Sequence, residues 1–563
     1  MHEIVADLAA HEGPFEPVLD RPNSTIAAEA IERLTHSQLE HALDGHRRGL
    51  KVYESLMSLN EVIGTQYGER VLFELLQNAH DAHSPDEKGE ITIRLIVHGK
   101  ESGELLVANK GRPFSSSNLE AIRNIGTSDK EIGEGIGNKG LGFRSVEALT
   151  DDVHIFSAGP TAPASKFDGY CFRFATTGEI ALRLEAIGAD PATAAVVASN
   201  IPRYLVPLPV DEQSEEVRRL AGQGYATVVC LPLVSEHAVQ LARKQVAAVL
   251  QHAAPVQLFL DRLTSLDVAV VALGEVTERK CLSRRVEPVD APGLPSNFRM
   301  ERVTLEAESA FLLVRQTLPK VAVLSAVRES IAAASPLKRW LAWKGDAVVS
   351  VAVPLGSTTL SAPRLYNFLP MDDQAVSPMA GHIDAPFFAD IDRRSLKPDL
   401  PLNRYLIKSA AETAATAVLA IVDDDLPMPE NSVIDLAAWS GAHMQRIIAA
   451  FQALKRPLTT AAIWPVVSGG TSRWASFKTL YAWPELRTKQ LTPVHLASVA
   501  NVDILSGAIG EARLVRVKAL AGAISLPLAP TDAKGPLMNY RSVMSDAERL
   551  CSSNLRGNHG AGY

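Results

Sequence analysis

"ELLQNAHDA", residues 74–82, carries four polar side chains at helical spacing. Glu74, Gln77, Asn78 and Asp81 fall at i, i+3, i+4 and i+7, so they share one face of a helix expected over 69–82. Val71, Leu72, Leu75, Leu76, Ala79 and Ala82 take the other face. A carboxylate on such a stripe can orient a water, and an amide oxygen beside it suits magnesium, which takes oxygen ligands. The same pattern also describes an ordinary amphipathic helix with a solvated side.

Downstream, "VANKGRPF" (107–114) reads as a strand that runs into Asn109 and a Gly-Arg-Pro turn, where Asn also serves simply to start the turn. Then comes "IGTSDKEIGEGIGNKGLGFRSV" (125–146), with Gly137, Gly140 and Gly142 around Lys139. Glycines let backbone N–H groups converge on an anion, and "FRSVEAL" is expected to start a helix whose positive end faces the loop. A flexible loop has the same composition.

Around these motifs the chain alternates between elements. Residues 24–60 and 236–253 show helical periods, and "EITIRLIV" (90–97), "ELLVAN" (104–109), "DVHIF" (152–156), "YCFRF" (170–174) and "YATVVCLPL" (225–233) show the period of two of half-buried strands. A second alternation occupies 300–425 and ends in an apolar helix from about Asn403. The acidic, proline-rich "DDDLPMPENS" (423–432) reads as a linker. The expected organisation is an N-terminal helical segment (1–60), an α+β domain (61–270), a second α/β domain (300–425) and a smaller mixed C-terminal region (433–563). The tail "SSNLRGNHGAGY" has neither cap nor core pattern, as in a piece of a longer chain.

Composition narrows the class. The 563 residues are 46% hydrophobic and 21% charged, an ordinary globular balance with material for several domains. A net charge of −8 does not suit a non-specific nucleic-acid binder, so nucleic acid stays a possible partner that nothing indicates. Cysteines at 171, 230, 281 and 551 form no CxxC pair, which fits a reducing, cytoplasmic setting. The first residues lack a signal-peptide pattern, and the apolar run 409–422 carries Glu412 and is too short to span a bilayer. The histidines lack zinc-ligand spacing.

Taken in order, the polar-faced helix, the strand–turn with Asn, the Gly-rich stretch and the later "GYATVVCLPL" resemble the GHKL ATPase superfamily of heat-shock chaperones, type II topoisomerases, MutL-type repair proteins and histidine kinases. Within it the match is to the sacsin-like and NO VEIN-like group. "ELLQNAHDA" matches the E-x-x-x-N-A-x-D-A box, "NKGRPF" the N-x-G-x-P-F variant and "GIGNKGLGFRSV" the group's lid. The resemblance implies a two-layer α/β sandwich of the Bergerat type, with ATP and Mg2+ as ligands. It implies Glu74 as general base, Asn78 as magnesium ligand, and Asp81 as support for the nucleotide. Gly111 would allow close approach of the base, and Thr227 would lie near the adenine. Gly137, Gly140 and Gly142 would contact phosphates, with Lys130 and Lys139 as counter-charges. Relatives usually carry Asp where this chain has Asn109; an amide oxygen can still accept from adenine, and a rotated amide would suit guanine O6. ATP is the expected base choice.

The segment 364–407, with "NFLP", an arginine pair and a downstream Asn, is similar to the same group's second domain. There Arg393 and Arg394, then Lys397, are the residues implied to meet the terminal phosphate; a surface pairing with Asp390 or Asp392 would explain them equally. The expected function is a slow, Mg-dependent ATPase whose 126–142 lid and second domain close on nucleotide and act on a protein client or assembly partner. The alternative is a non-hydrolysing nucleotide-binding module of a bacterial defence or DNA-maintenance system. A DNA-acting ATPase is a third reading, disfavoured by the acidic charge.

Overall fold

The computed structural model describes residues 24–58, 68–123, 142–160, 165–250, 254–306, 309–333, 337–356, 360, 362–389, 396–397, 399–467, 473–481 and 503–525. The chain forms two compact units, one of Met1–Gln251 with Leu260–Ser283 and one of His252–Phe259 with Arg284–Tyr563. It is a mixed α/β protein, with a large mixed sheet and a small four-stranded one.

The first unit opens with α1 (Ser24–Arg47) and a short helical stretch over 52–58; Gly49 separates them at φ 72°, a conformation glycine adopts without strain. Next come a 3-10 turn Gly68–Arg70 and α2 (Val71–Asp81). β1 (Gly89–Val97), β2 (Gly103–Asn109) and α3 (Ser116–Arg123) follow. The segment "FRSVEAL" does start a helix, of the tighter 3-10 kind, over Gly142–Ala148. β3 (His154–Ser157), β4 (Phe172–Phe174), α4 (Thr177–Ala186), α5 (Pro191–Asn200) and β5 (Pro207–Pro209) come after it. The unit is completed by α6 (Glu215–Gly222), β6 (Thr227–Leu233), α7 (Glu236–Val249), β7 (Leu263–Ala272) and most of β8 (Glu275–Pro288).

Its strands run in the order β8-β7-β1-β2-β6-β3-β4-β5, with β1 parallel to β7 and the other neighbours antiparallel. Alternation assigns the faces. Leu106, Ala108, Phe156, Val228 and Cys230 pack with Val217 and Leu220 of α6. Leu105, Val107 and Asn109 therefore turn to the opposite face, where α2 packs on β1 and β2 and α7 on β1. α1 belongs to the same unit: it packs on β5, and the Thr35 hydroxyl donates to the carbonyl of Pro207. α4 and α5 were not anticipated, although each start carries a local cap. Thr176 and Glu179 form a reciprocal capping box, and Asp190 caps α5 ahead of Pro191.

In the second unit the end of β8 pairs with β9 (Phe298–Leu305), which pairs with β10 (Ser309–Leu318). α8 (Lys320–Ala332), β11 (Ala347–Pro354), β12 (Leu365–Asn367), β13 (Leu369–Pro370) and β14 (His382–Asp384) follow. α9 (Pro401–Asp423) is the central helix, packed against α8, β10 and β11. It is the single described helix long and apolar enough to cross a membrane, and 72% of that window is buried within the protein. After it come α10 (Glu430–Ala437), α11 (Met444–Ala453), a small sheet of β15 (Trp464–Val467), β16 (Trp474–Ala475), β17 (Leu480–Tyr481) and β18 (Asp503–Leu505), and α12 (Glu511–Ser525). The stretch 423–432 is not a linker. Leu426 and Met428 are buried, α10 starts at Glu430 behind Pro429, and both sides of the stretch lie in this unit.

The core of this unit holds a neutral histidine. His382 is fully buried, its ring centroid 5.2 Å from that of Tyr366 and 6.0 Å from that of Phe311. Its Nδ1 accepts from the Arg364 N–H at 3.2 Å, while Nε2 has no partner. Burial pushes its pKa down to about 3. The unfolded chain takes up this proton below about pH 6.5, whereas the folded chain resists it, so stability falls with pH by up to about 1.4 kcal/mol per unit below that point. The loss runs down to a pH of about 3, where the folded form also protonates. His382→Phe should flatten the pH dependence of unfolding between about pH 6 and 4 relative to wild type. All six tryptophans lie after residue 283, so their emission follows this unit. Identical slopes in the two proteins would remove His382 as the cause.

Candidate functional site

α2 has no side-chain cap of its own: Arg70 occupies the cap position without a capping bond. The cap comes from α7. Gln245 Oε1 accepts from Leu72 N–H at 2.7 Å, and its Nε2 donates to the Gly68 carbonyl at 2.9 Å. At the other end two guanidinium groups meet the last carbonyls, where cations are favoured. Arg262 donates to the carbonyl of His83 at 2.9 Å, and Arg112 to that of Asp81 at 3.3 Å. The helix that carries the polar stripe is thus fixed at both ends by residues distant in sequence.

The stripe is not solvated. Glu74 is 6% exposed, Gln77 1% and Asp81 3%, and Asn78 is half-buried. Asp81 Oδ1 lies 3.3 Å from Nδ1 of His80, whose Nε2 is 3.4 Å from Asp261. Burial acts to lower the His80 pKa, but hydrogen bonds to Asp261 and Asp81 carry it above its usual value. Both polar atoms of the Gln77 amide are buried without a partner.

Strand register sets a second row of polar groups. Asn109 pairs with Thr227, and Thr227 with Ser157, across β2, β6 and β3. Paired residues share a face, so the three side chains stand side by side on the α2 face. Thr227 Oγ1 is 3.5 Å from Ser157 Oγ, which accepts from the Phe114 N–H at 2.8 Å. Asn109 Oδ1 accepts from Gly111 N–H at 3.0 Å, the turn-starting role an Asn can play. Gly111 has a packing reason as well: a Cβ there would come within 2.5 Å of the Ala82 carbonyl oxygen at the end of α2.

The Gly142–Ala148 turn packs on α2. A row of rings joins it to the turn beyond Asn109: Phe143 lies 6.5 Å from Phe174, Phe174 6.1 Å from Phe172, and Phe172 5.7 Å from Phe114. The structure therefore gathers Glu74, Asn78, Asp81, Asn109, Gly111, Gly142 and Thr227 in one unit around α2 and its strand neighbours. Lys130, Gly137, Lys139 and Gly140 lie outside the described residues, as do Arg393 and Arg394. Lys397, in the second unit, is exposed; its carbonyl accepts from Asn403 Nδ2 at 3.0 Å, and the same amide donates to the Phe388 carbonyl at 2.7 Å. Among the described residues no cluster of three His, Cys, Asp or Glu side chains could hold a metal.

Sequence reasoning missed Gln245 and Ser157, which pattern alone does not single out, and Arg144, which stood inside a quoted motif.

No family model matches the chain, and no curated protein does. Among solved structures it is similar to one described as "Crystal Structure of N terminal domain of a DNA repair protein", at 11% identity over 62% of this chain and 94% of that one. The TM-score is 0.29, a fit too loose to carry an argument.

Proposed function

We propose that the first unit is a Bergerat-type ATP site of the GHKL kind, closest to the sacsin-like group, that hydrolyses ATP slowly with Mg2+ and acts on a protein partner. The observation that carries this reading is the burial of an acid and amide stripe on α2, packed on the strand that ends in Asn109. A helix of this pattern ordinarily keeps such a stripe in water. Within it the Gln77 amide is buried with neither polar atom bonded, and a ligand at this face would satisfy it.

The donor set fits the metal. Asn78, half-buried, offers an amide oxygen, and with no three-residue cluster among the described residues, phosphate oxygens would complete the shell. Bound Mg2+ would neutralise charge on the phosphates. Glu74, one turn before Asn78, would hold and deprotonate the attacking water. Thr227 and Asn109 would read the base, Asn109 by its remaining acceptor capacity toward adenine.

Isothermal titration of the full chain with a non-hydrolysable ATP analogue and Mg2+ tests the reading. One site per chain is expected, weaker with the GTP analogue. Folded protein that binds neither analogue would overturn it. Steeply salt-sensitive duplex binding would instead favour the DNA-acting reading.

A further inference from the structure

Arg144 stands two residues beyond the last glycine of the 137–142 run and is 4% exposed. Its guanidinium carbon lies 3.9 Å from the centroid of the Tyr204 ring. Nη1 and Nη2 make no hydrogen bond within ordinary distance, and what acts on the guanidinium is the Tyr204 side chain and, electrostatically, the Glu147 carboxylate. Guanidinium stays charged in proteins, and a buried charge whose N–H groups make no hydrogen bond is costly. A ring face returns only part of that cost and satisfies no N–H.

Two other buried arginines are paired with acids. Arg513 forms a two-pronged contact with Asp435 at 2.8 and 2.7 Å, and Arg94 meets Asp267 at 2.9 Å. The vacant fork of Arg144 matches two oxygens of a carboxylate or a phosphate. Its place decides between them. The turn that carries it packs on α2, the helix of Glu74 and Asn78, on which Gln77 is a second buried polar group without a partner. Phe143, its neighbour, is tied by the ring row to the turn after Asn109. A ligand seated at Asn109 and Thr227 with its anionic end toward α2 would bring phosphate oxygens to this fork.

Resting on the nucleotide reading above, we infer that Arg144 binds the terminal phosphate of a nucleoside triphosphate, and that Tyr204 holds its guanidinium in readiness until the phosphate arrives. Arg144 then discriminates triphosphate from diphosphate, a binding role distinct from that of the backbone amides of the glycine run.

The test is the ratio of affinities for a non-hydrolysable ATP analogue and for ADP, measured by calorimetry on the full chain. Wild type should favour the triphosphate. Arg144→Met should cut that preference by roughly 10- to 100-fold, the usual worth of hydrogen bonds to a charged group, with ADP affinity unchanged within about twofold. Arg144→Lys should restore part of it, since the charge remains and the fork is lost. Tyr204→Leu removes the stack but not the cation and should lower the preference less than Arg144→Met does. A folded Arg144→Met protein with wild-type preference would make the pair a structural staple only. If Arg144→Met does not fold, an Arg144→Lys protein with the full wild-type ratio would sink the inference. Wild type that binds neither nucleotide would instead refute the nucleotide site itself.

Discussion

Glu74→Ala is expected to slow phosphate release from ATP by about 10²- to 10⁴-fold, the range of a positioned general base, and to leave affinity for a non-hydrolysable analogue within about twofold. Glu74 is nearly fully buried on a helix fixed at both ends, by Gln245 at the start and by Arg262 and Arg112 at the finish. A carboxylate so placed cannot drift with solvent, and it precedes Asn78 by one turn on the same face. Because it is buried, the substitution leaves a small void, so melting curves accompany the kinetics. Glu74→Gln keeps the volume and should lose as much rate. Turnover at the wild-type rate in either variant would remove the base. Wild type that binds but shows no turnover would leave the regulatory, non-hydrolysing reading standing.

What the sequence made legible was local. The strands β1, β2 and β6 announced themselves by a period of two, and α2 by its i, i+3, i+4, i+7 stripe; all lie within one or two residues of expectation. Faces of helices were legible too, but not what covers them. The stripe of α2 looks the same whether water or a sheet lies opposite, and only the fold buries it. The cap of α2 was out of reach for another reason: Gln245 lies 173 residues from the N–H it receives. Residues 423–432 misled because acid and proline are shared by linkers and helix starts, and Pro429 serves as the latter. The Asn109, Thr227 and Ser157 row needed strand order, since β6 and β3 are neighbours in the sheet but not in the chain. The Arg144 stack likewise joins residues 60 positions apart and has no periodic signature.

The largest effect on stability is expected in the second unit, where Arg513→Ala should cost about 3–5 kcal/mol, the usual penalty for stripping one partner from a buried ion pair. Arg513 on α12 and Asp435 on α10 are 2% and 1% exposed at the side chain and bond at two points. Arg513 also donates to the Ile509 carbonyl at 3.3 Å. Burial holds the Asp435 carboxyl above its usual value even with that fork in place. Without the fork the carboxylate must stay buried with only the charge of Arg516 in range, or take up a proton. An acid whose folded pKa is raised favours the folded form at low pH and loses that advantage as pH rises. The deficit of Arg513→Ala should therefore be greatest near neutrality and shrink as pH falls toward the carboxylate range. Tryptophan emission in denaturant reads it directly, since Trp439 and Trp464 are fully buried in this unit. The double variant Arg513→Met, Asp435→Leu should recover most of the loss, because replacing both charges by apolar groups of similar volume is often neutral. A loss below about 1 kcal/mol at pH 7, or one indifferent to pH, would mean that water reaches the pair and that α12 is not held by it.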